Sequence, residues 1–432
     1  MTKTSFDTGL LDFLQQSPTP FHAVANLASC FAQAGFTELD EVEHWNLKAN
    51  SSYFVRRNES ACIAFKTGVN SVLANGIRVS GTHTDSPCLK LKPMPIVRRH
   101  GYVQLGVEVY GGALLHPWFD RDLSIAGRVN YLDKQGALQS ALIDFREPVA
   151  FIPSLAIHLD REVNEGRPLN RQTELPPILL QLPSEYNFDF DALLLAQIVK
   201  QAGHEGAIRI LSHELSLYDT QPPALVGLNK QFIASARLDN LLSCYTAAIG
   251  LIESGDAFAS VLVCNDHEEV GSASSSGAQG PFLRSVLERI IAAENTEFDT
   301  VERVIRRSMM LSIDNVHGVH PNYADKHDAQ HLPLLNAGPV IKINANQRYA
   351  SNSESIAFFK SVCEQVDVPH QSFVMRSDLA CGSTIGPLTA AVLGITTVDI
   401  GLASFGMHSI RELAGADDAA SLARVVSAYY TR

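Results

Sequence analysis

The sequence lacks the features that define membrane-spanning and secreted proteins. None of its apolar runs reaches the roughly 18 residues of a membrane span, and the densest, Ala192–Val199, is far shorter. The segment Met1–Phe13 carries one lysine and two aspartates and no small-residue cleavage site, so we expect no signal peptide. The seven cysteines are odd in number and scattered, without a Cys-x-x-Cys pair. This usage favours reduced thiols and predicts a cytoplasmic protein.

Basic residues are also scarce. The chain has 34 Lys and Arg residues against 46 Asp and Glu residues, a net charge of −12, which argues against nucleic acid as a partner. An acidic substrate is not excluded, because a pocket can be locally basic. With 46% hydrophobic and 19% charged residues, the composition is that of a globular protein. At 432 residues the chain predicts two domains, or one large domain with an insertion.

Two textures alternate along the chain. Residues 5–50 are expected to be helical, with a first helix that stops at Ser17-Pro-Thr-Pro20 and a second over Ala23–Phe36. A strand at Ile77–Val79 follows. After residue 230 short apolar strands and helices alternate again, which predicts a layered α/β domain built from both ends of the chain. Its strands are expected at Ser260–Cys264, Met309–Ile313 and Thr396–Ile400, and two of its helices at Phe282–Ala293 and Ser353–Gln365.

The middle of the chain has a β-rich texture. Val103, Leu105, Val107 and Val109 alternate with other residues, as in a strand with one buried face. The turn signal Asp133-Lys-Gln-Gly136 predicts a hairpin. We therefore predict a discontinuous domain of residues 1–92 plus 230–432, interrupted by a smaller β-rich domain of residues 93–229.

Acidic and imidazole side chains follow the predicted strands: His83, Glu268, Glu269, Asp314 and His408. In open α/β sheets, loops from several strands converge beyond their carboxyl ends, so these side chains can meet at one rim. Asp239 differs, because it begins a predicted helix. There it could be an N-cap, and each of the other residues could singly be a surface or core group.

Taken together, the two histidines and four carboxylates match a hydrolase with two divalent ions. Such a site needs a bridging carboxylate, an imidazole and a carboxylate for each ion, and one further carboxylate to transfer a proton. Two adjacent glutamates suit this division, because one can bind metal while the other faces the water. Asp85 could accept the ring N–H of His83 and fix its tautomer.

Over essentially its whole length, the chain closely resembles the aspartyl aminopeptidase family of cocatalytic zinc metallopeptidases, in a bacterial-type form. The motifs that carry the resemblance are Ser17-Pro-Thr-Pro-Phe-His22, Gly81-Thr-His-Thr-Asp-Ser86, Trp118-Phe-Asp-Arg-Asp122, Ile157-His-Leu159, Arg237-Leu-Asp-Asn240, His267-Glu-Glu-Val-Gly-Ser272, Gln347-Arg-Tyr-Ala350, Cys381-Gly-Ser-Thr-Ile-Gly-Pro387 and Met407-His-Ser-Ile-Arg-Glu412.

The resemblance implies two zinc ions in each subunit, which cobalt or manganese can replace. By the same resemblance Glu268 is the general base and acid, and the five metal ligands are the bridging Asp239, His83 with Glu269 in one site, and Asp314 with His408 in the other. The implied fold is a peptidase α/β domain with a central mixed sheet, interrupted by a β-rich domain that serves as a dimerisation or lid domain. The implied assembly is a homo-oligomer, a dodecamer built from dimers.

The implied reaction is removal of the N-terminal residue from peptides, with Asp or Glu preferred. Lys342, Arg348 and Arg376 lie in segments that resemble the family's pocket wall, and a cation there would bind an acidic side chain. Asn346 stands where some acid-specific relatives present a lysine, which leaves a preference for neutral residues open. His158 matches a histidine that reaches a neighbouring subunit's active site, although it could instead be a packed strand residue. A carboxypeptidase, an N-acyl amino acid deacylase or a non-catalytic assembly protein could use the same scaffold.

Overall fold

The structure is a computed structural model, and it describes residues 2–183, 185–203, 206–294 and 297–432. The chain divides into two compact units. The first comprises Met1–Ser86, Pro223–Met407 and Glu412–Arg432, and the second comprises Pro87–Pro222 with His408–Arg411. Both junctions lie a few residues before the predicted ones at 92 and 230. The role of the second unit in dimerisation stays a prediction.

The elements are numbered in the order in which they follow one another along the chain. The strands are β1 (Thr37–Leu39), β2 (Ser52–Arg57), β3 (Ala61–Lys66), β4 (Arg78–His83), β5 (Cys88–Arg99), β6 (Tyr102–Tyr110), β7 (Leu123–Asp133), β8 (Leu138–Asp144), β9 (Ile178–Gln181), β10 (Ala207–Asp219), β11 (Ala224–Val226), β12 (Phe232–Ser235), β13 (Ser260–Asn265), β14 (Met309–Ile313), β15 (Val316–His317), β16 (Val340–Ile343), β17 (Gln371–Val374), β18 (Thr396–Gly401), β19 (Ala403–Phe405) and β20 (Glu412–Gly415). The α-helices are α1 (Lys3–Gln16), α2 (Pro20–Gln33), α3 (Val72–Asn75), α4 (Phe190–Ala202), α5 (Leu238–Glu253), α6 (Phe282–Ala292), α7 (Thr300–Arg307), α8 (Ser353–Gln365), α9 (Ile385–Leu393) and α10 (Asp418–Tyr430).

The first unit is built on a nine-stranded mixed sheet. Its order is β1-β2-β3-β13-β4-β14-β18-β16-β17, and the central strands β13, β4, β14 and β18 run parallel. β3 and β16 run antiparallel to their central neighbours. The prediction of a layered α/β domain with a central mixed sheet is thereby confirmed.

Both faces of this sheet are covered by helices. Along β13, Val261 and Val263 belong to one apolar cluster and Leu262 and Cys264 to another, because successive side chains point to opposite faces. Helices α1, α2, α5, α8 and α10 pack on the face of Leu262, and α6, α7 and α9 pack on the other. A strand buried on both faces reads as a continuous apolar run, which is why the sequence revealed it.

The first N-terminal helix stops before Ser17 as predicted, whereas the second ends earlier than predicted. The first is α1, which starts after Thr2, and the second is α2, capped by the Thr19 hydroxyl at the N–H of His22. The second helix ends at Gln33 and not at Phe36. Gly35 has a φ of 87°, a conformation that glycine adopts readily and that ends a helix. The chain then forms β1, so the expectation of helix up to residue 50 was wrong.

The second unit contains a six-stranded sheet. Its order is β8-β7-β10-β5-β6-β9, and every neighbouring pair is antiparallel. Val103, Leu105 and Val107 are buried, as their alternation predicted. Asp133 Oδ1 accepts the N–H groups of Gln135 and Ala137 in the predicted hairpin turn. Among the described residues, no helix combines the length and apolar character that crossing a membrane requires.

Candidate metal centre

Acidic and imidazole side chains lie at the carboxyl ends of three neighbouring strands of the nine-stranded sheet. His83 is the last residue of β4, and Asp314 directly follows β14. Glu268 and Glu269 lie in a single 3-10 turn, Glu268–Val270, shortly after β13. These strands are parallel neighbours, so their carboxyl ends point the same way. The structure therefore brings together residues that are far apart in sequence.

The His83 imidazole lies at the centre of this group. Its Nε2 is 3.5 Å from Asp314 Oδ1, 3.6 Å from Asp239 Oδ1 and 3.9 Å from Glu268 Oε2. The candidate ligand atoms of His83, Glu268 and Asp314 all lie within 4.8 Å of one another. Oxygen atoms of Asp239 and Glu269 are also within 4.8 Å of each other. Such spacings suit carboxylate and imidazole ligands that share cations.

The distances favour a division of ligands that differs from the one implied by the resemblance. His83 is closest to Asp314 and Asp239, so these three side chains suit one ion, whereas the resemblance joined His83 with Glu269. His408 belongs to the second unit, where its Nδ1 is 3.3 Å from the carbonyl oxygen of Gly112. Its role as a ligand stays a prediction.

Asp85 ties His83 to both glutamates. Nδ1 of His83 lies 3.0 Å from the Asp85 carbonyl oxygen and 3.3 Å from Asp85 Oδ1. The two carboxylate oxygens of Asp85 accept the backbone N–H groups of Glu268 and Glu269, each at 3.1 Å. Asp85 is completely buried, so these bonds are shielded from water. The second contact was not predicted, because nothing near Asp85 in the sequence points to residues 268 and 269.

Asp239 is presented by an irregular first turn of α5. Arg237 precedes this turn in the left-handed conformation with a φ of 59°, and Asp239 itself is non-helical, with φ −85° and ψ 104°. Arg237 therefore occupies the N-cap position, and Asp239 lies within the first turn and is not the N-cap. The Asp239 carboxylate instead faces His83.

The charges of these side chains are unbalanced without a cation. Burial raises the pKa of Glu268 to about 8, and the negative charges of Asp314, Glu269 and Asp239 act in the same direction, against the effect of His83. Burial opposes a charge on His83, but the carboxylates around it outweigh burial and raise its pKa well above the usual value. Crowded, buried carboxylates are costly unless positive charge compensates them. The donor set therefore fits divalent zinc, which takes carboxylate oxygen and imidazole nitrogen ligands.

The predicted pocket cations have different surroundings. Lys342 is buried, and its Nζ lies 3.2 Å from Asp314 Oδ2. It is therefore the ion-pair partner of a candidate ligand and not an isolated pocket cation, because a buried ammonium needs a partner. Arg376 pairs with Asp378 and also donates to a backbone carbonyl, whereas Arg348 is exposed.

His158, the other predicted site residue, lies in the second unit. It is exposed, in a turn that spans residues 157–159. The alternative of a packed strand histidine is therefore wrong. A role for His158 in a neighbouring subunit stays a prediction.

Carboxylates and an imidazole clustered at the carboxyl edge of a mixed α/β sheet are an arrangement that suits a metal-dependent hydrolase. The family model described as aminopeptidase I zinc metalloprotease, M18, matches residues 13–430. The chain belongs to this M18 family of zinc metalloaminopeptidases, which is the aspartyl aminopeptidase family that the motifs resemble. It is thus a peptide-bond hydrolase that removes N-terminal residues.

Individual relatives agree with this assignment. The chain is 59% identical to Probable M18 family aminopeptidase 2 of Ectopseudomonas mendocina (strain ymp), over 98% of this chain and 97% of the relative. A chain in the cryo-EM structure of the Ape4 and Nbr1 complex shares 38% identity with a TM-score of 0.95, over 99% of this chain and 86% of that one. A chain in the structure of the S. cerevisiae mApe1 dodecamer shares 29% identity with a TM-score of 0.85, over 98% and 96%.

Proposed function

We propose that this aminopeptidase works with two zinc ions bridged by Asp239. The observation that carries the proposal is the position of His83, whose Nε2 lies within 4 Å of carboxylate oxygens of Asp239, Asp314 and Glu268. His83 and Asp314 complete one site. Glu269 completes the other, together with His408, which is assigned from the sequence. Cobalt or manganese can take the place of zinc.

Glu268 is the general base and acid of this proposal. Asp85 accepts the backbone N–H of Glu268, and the Glu268 side chain is largely buried beside the candidate ligands. Glu268 takes a proton from the attacking water and later gives it to the leaving amine, which needs a carboxylate within hydrogen-bond reach of both. Zinc ions held by the assigned ligands would supply the positive charge that lowers the pKa of a water and favours its attack.

For the substrate, we propose N-terminal Asp or Glu. Arg348 supports this preference, because it is exposed and lies in a segment that resembles the family's pocket wall, where a cation would bind an acidic side chain. Two observations favour neutral residues as the second candidate. Lys342 is already paired with Asp314, and Asn346 stands where some acid-specific relatives present a lysine.

The assembly and location of the protein are also proposed. One family structure is the S. cerevisiae mApe1 dodecamer, which supports a dodecamer, and the resemblance of the sequence implies that it is built from dimers. In such an assembly, His158 on its exposed turn would act in a neighbouring subunit. A cytoplasmic location rests on the cysteine usage of the sequence.

Hydrolysis of Asp-, Glu-, Leu- and Ala-nitroanilides by the full chain tests the proposed function. Activity that a chelator abolishes and Zn²⁺, Co²⁺ or Mn²⁺ restores is the expected result, with Asp and Glu cleaved fastest. Faster cleavage of Leu or Ala would replace acidic preference with neutral preference. Cleavage of amine-blocked substrates would instead identify a deacylase or carboxypeptidase. A metal-restored protein that hydrolyses none of them would refute the proposal in favour of a non-catalytic protein.

A further inference from the structure

The irregular turn that carries Asp239 needs hydrogen-bond partners from outside the helix. The first N–H groups of any α-helix have no partners within the helix, and here residues 239 and 240 are themselves non-helical. Such a turn keeps one geometry only if groups outside the helix hold its backbone. The residues that do so determine where the Asp239 carboxylate points.

Two buried side chains hold the backbone on either side of Asp239. Glu412, in β20, accepts the N–H of Asp239 at its Oε2, over 3.0 Å. Ser86 donates from its Oγ to the carbonyl oxygen of Asp239, over 2.7 Å. Glu412 is 3% exposed and Ser86 is 8% exposed, so neither bond competes with bulk water. A hydrogen bond to a buried carboxylate is also stronger than one between neutral groups.

The same turn is tied to the strands that carry the other candidate ligands. Ser86 lies shortly after His83 in the chain. Asn240 donates from Nδ2 to the carbonyl oxygen of Ile313, over 2.8 Å, and Ile313 directly precedes Asp314. The hydrogen bonds thus set the position of Asp239 relative to both His83 and Asp314.

We propose that Glu412 and Ser86 are positioning residues for the bridging carboxylate. Neither touches the substrate or a metal ion in this scheme. Each fixes one peptide group of Asp239, and together they keep its carboxylate where two ions can share it. This inference rests on the proposed function, because it takes Asp239 as the bridge. Groups behind metal ligands typically change metal affinity by about 10–100-fold when they are removed.

A merely structural role would have a different signature. If Glu412 only joined β20 to α5, its loss would lower stability and leave zinc affinity in the folded protein unchanged. The conservative replacement separates the two roles, because glutamine keeps a carbonyl oxygen that can accept the Asp239 N–H, whereas alanine does not.

The test compares Glu412→Ala, Glu412→Gln and Ser86→Ala with the wild-type chain, and uses Glu364→Ala as a control. Glu364 is an exposed residue of α8 in the same unit. Zinc affinity is measured by competition with a chromophoric chelator, kcat and KM with a nitroanilide, and folding by circular dichroism. We expect zinc affinity to fall about tenfold or more in the two direct truncations, Glu412→Ala and Ser86→Ala. The zinc affinity of Glu412→Gln should stay nearer the wild-type value, and that of the Glu364→Ala control should equal the wild-type value.

Unchanged zinc affinity in folded Glu412→Ala and Ser86→Ala would overturn the inference. If Glu412→Ala does not fold, Ser86→Ala decides alone, because it removes only one hydroxyl. A wild-type chain that takes up no zinc would refute the proposed function and this inference together. If the wild type binds zinc and the variants bind it with the same affinity, the inference is refuted and the proposed function is not.

Discussion

Replacement of Glu268 by glutamine is the sharpest test of the assigned proton carrier. Glutamine has nearly the size of glutamate, and its backbone N–H can still donate to Asp85, so the turn that carries Glu269 should keep its position. The amide cannot take a proton from water. General acid–base catalysis contributes about 10²–10⁴-fold in rate, which corresponds to about 2.7–5.4 kcal/mol of activation free energy. The Glu268 side chain is only 15% exposed, so bulk water is a poor replacement and we expect the upper part of this range.

The assay measures initial rates with a nitroanilide over a range of substrate concentrations, and zinc per chain by elemental analysis. We expect kcat to fall while KM and the zinc content stay close to wild type. Glu269→Gln is the matched control, since it makes the same chemical change in the adjacent residue, and it should lose zinc because Glu269 is an assigned ligand. A Glu268→Gln protein that keeps zinc and turns over at a near-native rate would show that another group carries the proton.

Three further substitutions have defined outcomes. In Gly250→Ala, the new methyl would lie 2.7 Å from a Val426 methyl, so we expect thermal denaturation to show a loss of about 1–3 kcal/mol from overpacking. Asp85→Asn leaves one of two backbone N–H groups without an acceptor, and a chelator titration should show zinc affinity lower by about 10–100-fold. Burial raises the pKa of Asp418 to about 6, so the folded state favours its protonated form. Urea titrations should show wild type losing about 3 kcal/mol relative to Asp418→Asn as the pH rises from about 4 through about 6.

The central strands and several helices were predictable because their local signals agree with the tertiary structure. The strand Met309–Ile313 and the helix Ser353–Gln365 have the predicted bounds. The first is an apolar run buried on both faces. The second starts at Asn352, whose side chain caps the N–H groups of residues 354 and 355, which is a local start signal for a helix.

The ion-pair partner of Lys342 could not be predicted from the sequence. In the sequence it is one basic residue in a segment similar to a pocket wall, and its charge predicts an acidic ligand from outside. In the structure it lies on β16 and its ammonium is paired with Asp314. No local pattern joins residues 314 and 342, because only the order of strands in the sheet brings them together. The identity of a charged residue therefore predicts that it needs a partner, but not which partner it has.

Asp85 makes one contact with a residue close to it in the sequence and two contacts with residues that are distant in the sequence. Its contact with His83 was predictable, because residues two apart beyond a strand end can reach each other. Its contacts with the N–H groups of Glu268 and Glu269 span 183 and 184 residues, and they exist only because β13 and β4 are parallel neighbours. One carboxylate oxygen of Asp85 accepts the backbone N–H of Glu268, the assigned proton carrier, and the other accepts that of Glu269, an assigned ligand. Two adjacent glutamates can have different roles only if their shared turn is held firmly, and Asp85 supplies that constraint.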